Sequence, residues 1–364
     1  MQSNADSTRA PTDRTPRRAR RVPSRLTALL VLLALAGCNN PPQRFDARFM
    51  AMGTLVDVTL YGVSTERGNE LVRVLEQHFE DWDKAWDPWE GNGLARVNRA
   101  LDRGESAPID GELTTMLERA RRIEVRSGHR FDPAIGALVR LWGFDRGKPE
   151  DARPPAADRI RRLLDQRPRL TDLRLADGRV STANPAVRID LGGFAKGYAV
   201  GRALSLLRER GVDNAIVNAG GDLAAIGRPG ERRWRIGIRA PRGEGLLAAV
   251  DIDGGETVFT SGDYERFFVY EGRRYHHILD PRTGMPARGV RSVTVLGTDP
   301  ALADAAATAL FVAGPQHWIT VARKLGVRYV MLVDDDGIVH MNPAMAKRVR
   351  FQGDAPRVRR SEPL

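Results

Sequence analysis

The sequence predicts an α+β fold, in which antiparallel sheets pack against helices. Three observations carry this. Apolar residues recur at helical spacing over Arg67–Lys84, Leu113–Val125, Ala301–Val312 and Gln316–Leu325. Short alternating segments at Trp234–Arg239, Ala248–Asp253, Val258–Thr260, Phe267–Tyr270 and Tyr275–Leu279 follow one another with turn signals between them, which reads as one antiparallel sheet. Neither a G-x-G-x-x-G nor a Walker sequence is present, so the familiar dinucleotide-binding folds are not indicated. At 364 residues and 42% hydrophobic, the chain can bury a sizeable core as one large domain or two.

The formal charge of +11 raises nucleic acid as a partner. The charge is uneven, however. Residues 1–37 hold seven arginines against two aspartates, and the other 327 positions carry 50 basic and 44 acidic residues. No basic stripe with interleaved aromatics stands out, which argues against nucleic-acid binding. The arginines precede an apolar run, Leu26–Ala36, too short to span a bilayer, and the run closes in Leu35-Ala36-Gly37-Cys38. This is similar to a bacterial lipoprotein signal. Residues 1–37 are expected to be removed and Cys38, the single cysteine, to carry the lipid. Residues 38–44 would form a tether, placing the protein on a membrane of the bacterial envelope, facing the periplasm.

In chain order, Ala51–Tyr61 alternates as a strand opened by Met52-Gly53-Thr54. Trp82, Trp86 and Trp89 fall within eight positions, and flat rings suit stacking on a planar ligand. A core tryptophan with a surface one is the structural alternative. Asp132-Pro133 suits a helix N-cap and first helical position. Pro149–Pro168 is polar and rich in Pro and Arg, with one short helix over Ile160–Leu164, and marks an insertion or junction. Leu173–Leu175 and Arg179–Ser181 form a hairpin turning at Asp177-Gly178. His276 and His277 point to opposite sides of a strand, so one of them can serve a site. Asp299-Pro300 caps a helix of alanine and leucine in which Asp304 and Thr308, four apart, share one face. Two oxygen donors there suit Mg2+, while capping and back-bonding to a helix carbonyl are the structural alternatives. Residues 342–364 read as a basic tail, disordered or resting on anionic lipid.

The chain centres on Ile189–Gly201, I-D-L-G-G-F-A-K-G-Y-A-V-G. Gly192-Gly193 lets backbone approach a ligand, and the helix that follows offers free N–H groups that suit a phosphate, with Lys196 as a mobile cation. The motif resembles the signature of the ApbE family, the FAD:protein FMN transferases. Further segments match in the family's order: Ala51–Thr54, Trp86–Asn98, Phe131–Phe144, Asn218–Leu223, Thr260–Gly262, His277–Gly284 and Ala303–Gly314. The resemblance covers residues 45 to about 335.

The resemblance implies a T-fold-like α+β architecture with two intertwined subdomains over residues 45–341. It implies an enzyme that moves FMN from FAD to a Thr or Ser hydroxyl of an acceptor flavoprotein and releases AMP. An FAD hydrolase giving FMN and AMP, or a non-catalytic FAD-binding lipoprotein, is the alternative. Mg2+ would be held by Asp304, Thr308 and the Gly193 carbonyl, and His277 would be the base. Met52, Trp86, Asp132, Pro133, Ala134, Asp190, Lys196 and Ile278 would hold FAD. W-D-P-W-E-G-N-G replaces the family's S-T-Y-like element, so Trp86, preferred over Trp89, would take the stacking role. Ala134 stands where the family usually carries a hydroxyl, which leaves backbone contacts there.

Overall fold

A computed structural model of the chain describes residues 43–146 and 153–364. The signal segment, Cys38 and the start of the tether lie outside the described residues. Nine strands form the central sheet: β1 (Arg44–Ala51), β2 (Thr54–Tyr61), β3 (Asn214–Ala219), β4 (Asp222–Ile226), β5 (Thr257–Gly262), β6 (Val290–Gly297), β7 (Tyr329–Asp334), β8 (Val339–Met341) and β9 (Val358–Arg360). They lie side by side in that order. All pairs are antiparallel except β8–β9, which is parallel.

The helices are α1 (Thr65–Trp86), α2 (Leu94–Leu101), α3 (Gly111–Ser127), α4 (Gly136–Leu141), α5 (Ala157–Asp165), α6 (Ala195–Glu209) and α7 (Pro300–Leu325). A strand's side chains alternate between faces, so a sheet covered on both sides needs apolar residues in both phases. The middle strands supply them. Ala224, Phe259, Val293, Val295, Val330 and Leu332 join the core shared with α1, α3, α6 and α7. Leu223, Ala225, Val258, Leu296, Met331 and Val333 face the other way. There they meet a small sheet of Trp234–Arg239, Leu246–Ile252 and Val349–Phe351.

The α+β class with antiparallel sheets holds, with three corrections in detail. Ala51–Tyr61, read as one strand, takes in the last residue of β1, the turn at Met52 (φ 51°) and Gly53 (φ 70°), and β2, which pairs back on β1. The strands read as one sheet between 234 and 279 belong to three. The described residues cluster as one compact unit. The 342–364 tail is folded: Pro343–Ala346 is a helical turn, Val349–Phe351 pairs with Leu246–Ile252, and β9 closes the sheet edge.

α7 breaks at Gly314 (φ 71°, ψ 175°), before Pro315, which has no N–H to donate. The alanine-rich half before the kink is buried almost throughout and packs between β5, β6, α3 and α6. That position brings Asp304 and Thr308 to the glycine turn.

Candidate active site

The start of α6 approaches α7 closely because Gly197 has no side chain. A Cβ there would lie 2.4 Å from the Pro300 carbonyl oxygen and 2.8 Å from the Asp304 Cβ. This closeness lets the Gly197 N–H, an otherwise unpaired donor of the first helical turn, reach Asp304 Oδ2 at 2.9 Å. Gly193 is similarly confined, since a Cβ would stand 3.2 Å from Thr308 Oγ1. Thr308 Oγ1 lies 3.2 Å from Ser261 Oγ at the end of β5. Gly193, Lys196, Asp304 and Thr308 are thus brought together as the sequence suggests.

The electrostatics of this cluster centre on buried charge. Lys196 forms a short ion pair with Asp222, which is 3% exposed and also accepts the Thr260 N–H at 2.9 Å. Burial works against the Lys196 charge, but Asp222 and Asp304 outweigh it and raise its pKa. Burial pushes Asp304 up to about 7; Lys196 opposes this and Asp222 adds to it. Lys196 is already paired, so a divalent cation is the natural counter-charge for Asp304. The donors present are a carboxylate with Oδ1 outside its one hydrogen bond and a hydroxyl, with the Gly193 backbone against that hydroxyl. Both donors are hard oxygens that fit Mg2+.

Asp190 is reached from the other side of the glycine turn. Its Oδ1 accepts the Gly192 N–H at 2.8 Å, and its own N–H goes to the Pro133 carbonyl at 2.7 Å. Burial raises its pKa, while Gly192 and Arg266 oppose the rise. The 131–134 turn is therefore stitched to the central motif, and Arg188 N–H reaches the Ala134 carbonyl at 3.3 Å. The carbonyls of Pro133 and Ala134 are engaged within the protein. Asp132 is not a helix N-cap, since α4 begins four residues later. It is buried, with Oδ1 on the Ala134 N–H at 2.9 Å and Oδ2 on Arg169 at 2.7 Å.

Asn98 locks this segment from α2. It is fully buried, accepts the Ile189 N–H at 2.8 Å and donates to the Ile189 carbonyl at 2.8 Å. Asn98→Ala orphans both groups, so stability is expected to fall by about 2–5 kcal/mol, read from the midpoint of urea unfolding. A loss below about 1 kcal/mol would show that the pair is not holding the motif.

His277 follows the Phe267–Tyr270/Arg273–His276 hairpin. Its Nδ1 lies 3.2 Å from the Arg266 carbonyl, which can only accept, so the proton sits on Nδ1 and Nε2 keeps its lone pair. Burial, then the charge of Arg266 and the neighbouring His276, hold its pKa well below 6.5. His276 is spent on structure: it is buried, its Nε2 bonds the Ala287 carbonyl at 2.8 Å and its ring meets Phe311 edge-on. The hairpin is anchored to α4 by Trp142, Phe268 and Tyr275, and Trp142 Nε1 donates to the Gly284 carbonyl at 2.8 Å.

Three residues expected to contact the cofactor are held in structural contacts. Trp86 is 5% exposed, stacked on Trp82 at 5.6 Å and met edge-on by Tyr198. It is a core residue, and its preference over Trp89 as an open stacking face is corrected. Trp89 is half-buried, with the Arg188 guanidinium 5.6 Å over its ring. Met52 sits at the β1–β2 tip, its N–H on Asp83 Oδ2 at 3.1 Å. Ile278 is buried in the main core, and its carbonyl accepts the Ala287 N–H.

Two groups were not singled out from the sequence. One is Asp222; a single acid opening the apolar run Leu223–Ile226 was the available signal. The other is Arg266. Among the described residues its guanidinium donates to the Phe144 carbonyl alone, at 3.4 Å, and it interacts with the charges of Asp190 and Glu265. A cavity of about 570 Å³ lined by Asp102, Arg140, Arg159, Arg162 and Arg188 lies on the outer side of Arg188 and includes none of the proposed metal donors.

Comparisons with known proteins identify the family of the chain. The ApbE family model matches residues 52–331. A protein of Rhodobacter capsulatus named FAD:protein FMN transferase is 40% identical over 327 residues. That match covers 88% of this chain and 62% of that protein, so the chain spans less than two thirds of this relative. A protein of the same name from Treponema pallidum is 36% identical over 347 residues, covering 89% of this chain and 94% of that one. The crystal structure of the ApbE protein from Thermotoga maritima superposes with a TM-score of 0.78 at 33% identity, covering 85% of this chain and all of that one. The chain belongs to the ApbE family.

Proposed function

We propose that this protein transfers FMN from FAD to a threonine or serine hydroxyl of an acceptor flavoprotein, in a Mg2+-dependent reaction that releases AMP. The observation that carries the reading is the meeting of Gly193, Asp304 and Thr308 beside the Lys196–Asp222 pair. Oxygen donors for a cation and a half-buried ammonium together suit a pyrophosphate. Its flavin-nucleotide character is supported by relatives named for FAD and FMN.

The residues divide the work. The glycine turn and the start of α6 give backbone room for the phosphates, and Lys196 offers positive charge there. Asp304, Thr308 and the Gly193 carbonyl would hold Mg2+, which when bound neutralises charge on the anhydride. Arg266, with most of its donors uncommitted, adds positive charge on the His277 side. His277 Nε2 takes the proton of the acceptor hydroxyl as its oxygen bonds to the FMN-side phosphorus. The bond from that phosphorus to the bridging oxygen breaks, AMP leaves with that oxygen, and FMN stays on the acceptor as a phosphodiester. The acceptor expected is an electron-transport subunit or a reductase in the same compartment. Cys38 would anchor the enzyme by lipid to an envelope membrane, facing the periplasm. No helix among the described residues is long and apolar enough to cross a membrane.

Incubating the protein with FAD, Mg2+ and an acceptor domain, then reading in-gel flavin fluorescence, tests this. The acceptor is expected to become fluorescent and AMP to appear in equal amount. AMP without labelling would indicate an FAD hydrolase, and bound FAD with neither product a carrier.

A further inference from the structure

A second group of metal-type donors lies where α3 ends. α3 stops at Gly128 in the left-handed region (φ 64°), and His129 follows at φ 59°. The His129 N–H closes on the Glu124 carbonyl at 2.9 Å, folding the chain back over the last helical turn. This sets His129 Nδ1 2.8 Å from Glu124 Oε1. Asp132 arrives from the next turn, and one donor atom from each of the three residues lies within 4.8 Å of the others.

Two further facts point to a missing cation. Glu124 is fully buried, yet its Oε2 has no hydrogen-bond partner. The Thr171 N–H lies near enough to favour its charge without making a hydrogen bond. The nearby basic group is already engaged. Arg169 lies on the outer oxygen of Asp132, Oδ2, at 2.7 Å. Asp172 is met by Asn184 and the Arg169 backbone N–H, neither of them charged donors. An unpaired buried carboxylate oxygen is costly, and a bound cation removes that cost.

We propose that Glu124, His129 and Asp132 form a divalent-cation site separate in its donors from the one at Asp304, and that it takes a transition metal such as Zn2+ rather than Mg2+. An imidazole nitrogen beside two carboxylates suits borderline metals, whereas Mg2+ prefers oxygen alone. The ion would replace the hydrogen bond between His129 and Glu124, with Arg169 remaining on the outer oxygen of Asp132. It would tie the end of α3 to the 131–134 turn.

The test is Zn2+ binding by the full chain after chelator treatment, followed by calorimetry, with Co2+ absorbance as a second readout. The wild type and Asp304→Ala are expected to share one Zn2+ site of equal affinity. His129→Ala and Glu124→Gln are expected to weaken it by about 10²-fold and to lose the Co2+ ligand-field bands. Glu124→Gln keeps the side chain's shape and removes the unpaired charge, so it decides the matter if His129→Ala does not fold. Wild-type affinity in folded Glu124→Gln, or no Zn2+ binding by the wild type at 10 µM (about −7 kcal/mol), overturns the proposal.

Discussion

Asp304→Ala is expected to lower FMN transfer by about 10³-fold or more, with the fold intact. The carboxylate is the single charged group among the three proposed metal donors, and Lys196 is already paired with Asp222. Without it, the proposed donors carry no negative charge to balance a divalent cation. Survival of the fold follows from the direction of its pKa. Burial raises Asp304 to about 7. A raised carboxyl favours folding fully below its unfolded value, and that contribution is lost as pH rises through about 7. Near neutral pH, metal-free protein therefore gives up little when the charge is removed; the loss is chiefly the partner of the Gly197 N–H. Stopped transfer with an unfolding midpoint within a few degrees of the wild type would agree. Labelling at the wild-type rate would remove Asp304 from the metal assignment.

His277→Ala is expected to slow transfer by about 10²–10⁴-fold, the span of a positioned general base. The wild-type pH profile carries independent information. The base works in its neutral form, and burial, Arg266 and His276 hold its pKa well below 6.5. At saturating Mg2+, which keeps Asp304 ionised, the imidazole stays neutral as pH falls from 8 through 6.5, so the rate stays level and drops only below that range. The acidic limb should vanish in His277→Ala. A loss of tenfold or less, or an acidic limb centred above pH 7, would assign His277 to holding the turn it shares with Arg266.

Local patterns made much of this legible. The helix face carrying Asp304 and Thr308, the glycine turn before Lys196 and the Asp177-Gly178 hairpin are each set by neighbours in sequence, and the structure shows all three. The break between the two halves of α7 was legible because Gly314-Pro315 cannot continue a helix. What was not legible depended on distant partners. Asp132 looked like a helix cap because Arg169, its actual counter-charge, is 37 residues away. β1 was not read as a strand, apart from its last residue, Ala51; it lies at the sheet edge, where little of its length is buried. β9 is exposed throughout and owes its place to β8 alone. Trp86 could have been placed better, since its spacing of four from Trp82 continues the buried face of α1 into the core.

A crystal structure of the protein with FAD and Mg2+ tests the central claim most directly. It should show the pyrophosphate beside the Gly192-Gly193 turn, with the ion held by Asp304, Thr308 and the Gly193 carbonyl and the flavin-side phosphorus open toward His277. FAD bound at another surface, or an Asp304 carboxylate turned away from the ion, would contradict it.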